Sequence, residues 1–179
     1  LYDFFHENKG SILNRKAKEY SKVMEELMLL SFNVKKEVIE KDHKEQNLRK
    51  ILNYGHTIGH AIEKLSNYTL LHGQAVAIGI AVEAFMASKL GYGSKEIYQA
   101  QKNTLELMGL ATKIPEKMST KDIVTTTLLD KKARKGLPEF IFLKNIGTVK
   151  RFVLDSVSIT LELEVLEKML NEYRKEFSS

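Results

Sequence analysis

The chain has 179 residues, a formal net charge of +5 and no cysteine. This length suits one domain with a real core, and the missing cysteines exclude disulfides and cysteine metal sites. Residues 75–87 form the longest apolar stretch, which is too short to span a bilayer, and residues 1–10 lack the pattern of a signal peptide. We therefore expect a cytoplasmic protein without a membrane partner. Because the first residue is Leu1, we also expect a fragment or a processed chain.

Periodic apolar residues predict three helices in the first half of the chain. The first covers residues 11–42 with Ser11 as its N-cap, and the second covers about 47–65, where Ser66 and Asn67 end it. The third covers residues 72–90 and is stopped by Gly91 and Gly93. Because this third helix is apolar almost all round, we expect it at the centre of a bundle.

The second half predicts three more helices and a hairpin. Ser94 caps a helix that ends near residue 109, and Ser119 begins another that reaches about Lys132. Residues 139–143 and 148–153 alternate as strands do, with a short turn over 144–147. A last helix covers about 161–177. The predicted fold class is mainly α, a multihelical bundle with one small β-hairpin, in a single domain over 1–179.

The charge pattern bears on partners. Lysine and glutamate alternate along helical segments, as at 36–37 and 44–45, which is typical of a solvated face. No basic cluster is interleaved with aromatic residues in the manner of a strand-binding groove. We therefore predict no nucleic-acid partner, and the basic balance favours a small anionic ligand.

Three histidines, His56, His60 and His72, lie close together in the sequence. His56 and His60 are four apart on a predicted helix, so both rings project from one face and could hold a divalent ion. Ordinary buried or capping histidines would give the same spacing. Thr57 stands where a zinc protease of the His-Glu type keeps its general base, which excludes that class.

Two glycines flank these histidines. Gly55 and Gly59 each cost a helix about 1 kcal/mol relative to alanine, so the pair calls for either tight helix packing or access to a site. His72 can return towards His56 only if residues 67–71 fold compactly.

Two longer runs contain these histidines and are specific enough to compare with a known family. They are LNYGHTIGHAIE at 52–63, and LHGQAVA at 71–77 followed by Gly79. They resemble the signature of the 3-dehydroquinate synthase family, within the sugar-phosphate cyclase superfamily. Further matches in the family's order are Lys35, Asp42, Glu45, Leu48 and Arg49 upstream, and Asp130, Lys131, Lys132, Ile146 and Gly147 downstream. Gln74 and Ile58 replace the glutamate and phenylalanine common in the family, and the gap between His56 and His72 is one residue shorter than in some relatives.

The resemblance implies a divalent metal, zinc or cobalt, held by His56, His72 and a glutamate that lies before residue 1. It implies that His60 is not a ligand but a catalytic residue that assists proton transfer near the substrate phosphate. It also implies that four residues bind the carboxylate and phosphate groups of the substrate: Lys35, Arg49, Asn53 and Lys132. Lys132 is preferred to Lys131 for the last of these positions. Arg49 could also pair with Glu45, and Asn53, three residues before His56, would share the histidine face.

The resemblance further implies the reaction from 3-deoxy-arabino-heptulosonate 7-phosphate to 3-dehydroquinate and phosphate, in the shikimate pathway. NAD would be bound mainly by an N-terminal domain that we expect to be absent from this chain, because no Gly-rich phosphate loop follows a strand. We thus expect the isolated chain to have no synthase activity and only weak metal affinity, and the complete protein to be a homodimer. The alternatives are a deoxy-inosose or valiolone synthase, and a non-catalytic helical interaction module.

Overall fold

The computed structural model describes residues 1–129 and 136–178. The chain divides into two compact units, residues 1–52 and residues 53–179. The prediction of a single domain over 1–179 stays a prediction. Within the described residues, no helix is both long enough and apolar enough to cross a membrane.

The first unit contains two helices that pack on each other, α1 (Tyr2–Leu13) and α2 (Tyr20–Lys41). The predicted single helix over 11–42 is therefore wrong at its start, and Ser11 lies in the last turn of α1 instead of capping α2. Asn14 breaks the helix because its backbone is extended and its side chain accepts the Lys16 N–H at 3.1 Å. The predicted end near Asp42 is confirmed.

A 3-10 helix (Leu48–Asn53) replaces the first half of the predicted second helix. The Asp42 carboxylate organises its start by accepting the backbone N–H groups of Gln46, Asn47 and Arg49 at 2.9, 2.8 and 3.0 Å. These hydrogen bonds, first that from Arg49, lower the pKa of Asp42 below its ordinary value.

The second unit is built around five helices: α3 (His56–Leu65), α4 (His72–Lys89), α5 (Lys95–Leu107), α6 (Thr120–Thr127) and α7 (Leu163–Lys175). Helix α4 is buried along most of its length and contacts α3, α5 and α7, which confirms its predicted central place. The predicted caps are also confirmed, since Ser94 accepts the Ile97 N–H and Ser119 accepts the Asp122 N–H. Helix α6 ends at Thr127, earlier than predicted.

Three glycines let α3 and α4 cross closely. Gly55 has φ +77° and separates the 3-10 helix from α3, so the predicted continuous helix over 47–65 is wrong. A Cβ on Gly79 would lie 1.9 Å from the carbonyl oxygen of Gly55, and one on Gly59 would lie 2.9 Å from the Cα of Val76. Tight helix packing therefore accounts for these glycines.

Two short antiparallel strand pairs complete the second unit. A hairpin is present where one was predicted, formed by β2 (Leu143–Asn145) and β3 (Thr148–Val149), but Lys144 and Asn145 of the predicted turn belong to its first strand. The rest of the predicted first strand is a separate strand, β1 (Glu139–Ile141), paired with β4 (Ser158–Thr160), which the sequence did not predict. The predicted second strand over 148–153 is shorter than expected, since β3 ends at Val149, and a 3-10 turn (Val153–Asp155) follows after three further residues.

Candidate metal centre

Three imidazoles meet where α3 and α4 begin. His56 is the first residue of α3, His60 follows one turn later, and His72 is the first residue of α4. Their ring centroids are 5.3 Å apart for 56–60, 5.3 Å for 56–72 and 5.6 Å for 60–72. One ring nitrogen from each histidine lies within 4.8 Å of the others. The expected convergence of these residues is confirmed, and the group could hold a metal ion.

The connection between α3 and α4 is compact enough to bring His72 back. Asn67 and Tyr68 adopt positive φ values of 51° and 59°, which turns the chain sharply. The Ser66 hydroxyl accepts the Leu70 N–H at 3.2 Å, and Gln74 accepts the Leu71 N–H at 3.0 Å. Gln74, a departure from the family pattern, therefore caps α4 with its side-chain oxygen.

The Nδ1 atoms of two of these histidines contact oxygens. His56 Nδ1–H donates to the Tyr54 carbonyl at 3.0 Å, and His72 Nδ1–H donates to Glu63 Oε2 at 3.2 Å. A carbonyl or a carboxylate oxygen can only accept, so the proton belongs on Nδ1 in both contacts. In this neutral tautomer the ring lone pair of His56 and of His72 lies on Nε2, the atom through which such an imidazole binds a metal.

A buried polar network fixes the chain segment just before His56. Glu83 of α4 is fully buried and accepts the Gly55 N–H at 3.0 Å. The Tyr54 hydroxyl donates to Gln101 at 2.7 Å. Burial, and then the negative charge of Glu83, raise the pKa of Tyr54 well above its ordinary value, so this hydroxyl stays protonated. The carbonyl that orients His56 is thus held from α4 and α5.

Sequence reasoning gave no role to Glu83, Gln101 or Glu63. A single carboxylate inside an otherwise apolar helix was the available signal for Glu83, because such groups are seldom buried without a partner. For Glu63 the signal was its place seven residues, or two helical turns, after His56. For Gln101 no sequence signal was available.

An open cleft of about 330 Å³ adjoins the histidines. Helix α3 supplies most of its wall, including Thr57, His60, Glu63 and Lys64, and Thr126 of α6 also lines it. His60 therefore faces a space that a small ligand could enter, whereas the Thr57 hydroxyl is engaged by the Glu139 carbonyl. This cleft belongs entirely to the second unit.

The predicted substrate-binding residues lie outside helices α3 and α4, which carry the histidines. Asn53 ends the 3-10 helix, and because Gly55 interrupts the helix, the expectation that Asn53 and His56 share one helical face is wrong. Lys35 in α2 and Arg49 belong to the first unit. Lys35 is exposed there, and the Arg49 guanidinium donates to the His43 carbonyl at 3.1 Å. The pairing of Arg49 with Glu45 stays a prediction.

Both candidate lysines of the Asp130-Lys131-Lys132 run, Lys131 and Lys132, lie outside the described residues. The structure thus brings together His56, His60 and His72, and the roles of all the predicted site residues stay predictions.

A family profile described as 3-dehydroquinate synthase C-terminal matches residues 1–133. The chain belongs to this family. The 3-dehydroquinate synthase of Thermodesulfovibrio yellowstonii is 37% identical over 173 residues, which are 96% of this chain and 45% of that protein. The enzyme of Caldanaerobacter subterraneus subsp. tengcongensis is 38% identical over 170 residues, 93% of this chain and 45% of that protein. The chain therefore spans less than half the length of these relatives.

Solved structures of cyclases share the fold. A 2-deoxy-scyllo-inosose synthase complexed with carbaglucose-6-phosphate, NAD+ and Co2+ matches with a TM-score of 0.69 and 25% identity, over 78% of this chain and 39% of that one. A 2-epi-5-epi-valiolone synthase from Streptomyces hygroscopicus subsp. jinggangensis, with NAD+ and Zn2+ bound, matches with a TM-score of 0.73 and 16% identity. This match covers 98% of this chain and 46% of that one. The predicted fold class, mainly α with a small hairpin, is confirmed.

Proposed function

We propose that this chain is the metal- and substrate-binding part of a 3-dehydroquinate synthase, which converts 3-deoxy-arabino-heptulosonate 7-phosphate into 3-dehydroquinate and phosphate. The observation that carries the proposal is the convergence of His56, His60 and His72, with the Nδ1 atoms of His56 and His72 held by acceptors. Relatives that match nearly all of this chain bear that name. The complete enzyme would be a cytoplasmic, homodimeric lyase with NAD bound mainly by a preceding domain.

The residues fit a zinc or cobalt ion. Imidazole nitrogen suits both metals, and ligands at 2.0–2.1 Å in a tetrahedral site lie about 3.3 Å from one another. The ring nitrogens here lie within 4.8 Å of one another, so rotations of exposed or half-buried side chains are enough to close the site. His56 and His72 would be the ligands, with a glutamate from the segment shortly before residue 1. When bound, such an ion lowers the pKa of a coordinated hydroxyl.

The chain's own residues would bind and orient the substrate. His60 lines the cleft beside the two proposed ligands, so its ring can hold or move a proton next to the substrate phosphate. Arg49 offers a rigid fork for a carboxylate or phosphate, while Lys35 and Lys132 offer mobile charges. Asn53 would donate an amide proton. Positioning and charge stabilisation of this kind supply most of what such a reaction needs.

Substrate discrimination tests the proposal against the other cyclases. The protein that carries this chain together with an NAD-binding domain should release phosphate from the carboxylate-bearing heptulosonate and not from a sugar phosphate that lacks the carboxylate. Arg49→Gln should lower kcat/KM by about 10- to 150-fold, the effect of losing one hydrogen bond to a charged group. Lys117→Gln, an exposed lysine between α5 and α6, is the matched control and should leave kcat/KM unchanged. Equal turnover of both substrates would contradict the assignment.

A thermal shift with zinc, measured on the full-length protein, tests the alternative of a non-catalytic interaction module. A metal-binding enzyme should be stabilised by the ion through mass action, whereas an inert module should not. The isolated chain should show no turnover with NAD and metal supplied, and measurable turnover would contradict the assignment of NAD binding to another domain.

A further inference from the structure

One carboxylate at the metal centre has no part in the function above. Glu63 lies on α3 two turns after His56, and its side chain is only 19% exposed. Its Oε2 atom is 3.2 Å from the Nδ1 atom of His72 at the start of α4. The contact joins two helices whose connecting turn is itself tied by Ser66. The geometry therefore holds the carboxylate beside the ring.

The chemistry of this contact differs from that at His56. A backbone carbonyl accepts the Nδ1–H of His56, whereas a charged oxygen accepts that of His72. A carboxylate on the far nitrogen fixes the tautomer and orientation of a metal-binding imidazole and makes its Nε2 a stronger donor. The side chain of His72 is 53% exposed, so packing restrains its ring less and its orientation depends more on such a partner.

We propose that Glu63 is a positioning residue that holds His72 in the Nδ1–H tautomer and aims its Nε2 at the metal, without being a ligand itself. This inference rests on the proposed metal site. Its consequence is that the two histidine ligands are not equivalent: His72 is oriented by a side chain that can be replaced, and His56 by main chain that cannot.

Two readouts test the role, each on the protein that carries this chain together with the segment before residue 1. The first is the affinity for Co2+ added alone, followed by the visible absorption of the bound ion. The second is the long-range 1H–15N spectrum of His72 in the metal-free protein, which reports the tautomer. Glu63→Ala should weaken Co2+ binding by about 10- to 100-fold and remove the Nδ1–H preference. Glu63→Gln should retain most of the affinity and the tautomer, because its amide oxygen still accepts.

Glu167→Ala is the matched control. It removes an exposed carboxylate from α7 and should change neither readout. Co2+ affinity and a His72 tautomer that are unchanged in Glu63→Ala would overturn the inference. So would Glu63→Gln losing binding as completely as His72→Ala, since that result would make Glu63 a ligand. If the unmutated protein, with that segment present, bound no Co2+, the proposed function would fail, while the tautomer measurement would still decide the role of Glu63.

Discussion

Replacing Gly79 with alanine puts a methyl group where α4 crosses the start of α3. The added Cβ would lie 1.9 Å from the Gly55 carbonyl oxygen and 2.8 Å from the Gly59 nitrogen. Both neighbours are main-chain atoms, so no side chain can rotate away to make room. Ordinary contact begins near 3.4 Å, and the two helices must therefore separate by about 1.5 Å, the difference between 3.4 and 1.9 Å.

Overpacking of this kind costs about 1–3 kcal/mol, and a clash with main chain places Gly79→Ala at the upper end. The better helix propensity of alanine returns up to about 1 kcal/mol. We expect a net loss of about 2 kcal/mol in the free energy of unfolding. Separation of the helices also moves His56 away from His72, so Co2+ affinity should fall in the variant that remains folded.

Urea denaturation followed by circular dichroism measures the first effect, and Co2+ titration measures the second. Gly73→Ala is the matched control, because it lies in the same helix and its Cβ would meet nothing within 4 Å. That variant should be as stable as the parent, or more stable by up to about 1 kcal/mol. Gly79→Ala proving as stable as Gly73→Ala would refute the close crossing of the helices.

Three further results are expected in urea denaturation. Glu83→Ala should cost about 1–3 kcal/mol, because the buried Gly55 N–H loses its acceptor, and Glu83→Gln should cost less. Burial raises the pKa of Tyr98 to about 12, so stability should hold below pH 10 and fall from there towards pH 12, less steeply in Tyr98→Phe. Backbone hydrogen bonds lower the pKa of Asp42 in the folded chain, so its carboxylate stabilises the fold at pH values above its ordinary pKa near 3.9. This stabilisation is lost as the pH falls through the lower pKa of the folded state, and Asp42→Asn should lose less stability over that acid range.

Elements whose cause is local were predictable from the sequence. Helix α4 follows from an apolar run bounded by glycines, and the caps at Ser94 and Ser119 follow from single side chains. The convergence of the histidines was predicted only with the help of the family resemblance. Spacing alone predicted only that His56 and His60 lie close together, because residues four apart share a helical face.

Elements whose cause is tertiary were missed. The apolar period runs unbroken across residue 55, and only the crossing with α4 explains why Gly55 adopts a positive φ there. Strand β4 was missed because its partner, β1, lies about twenty residues away and each strand has only three residues. The contact between Glu63 and His72 could not be predicted, because it depends on the geometry of the turn over 66–71, which the spacing of apolar residues does not describe.

Co2+ titration of histidine variants, made in the protein that carries this chain together with the segment before residue 1, tests the metal centre most directly. His56→Ala and His72→Ala should each weaken binding by more than about 100-fold, whereas His60→Ala, which removes a proposed proton-transfer residue, should bind nearly as well as the parent. His43→Gln lies in the first unit and serves as the control. Binding that survives in both His56→Ala and His72→Ala as well as in His43→Gln would contradict the assignment of these two residues as ligands.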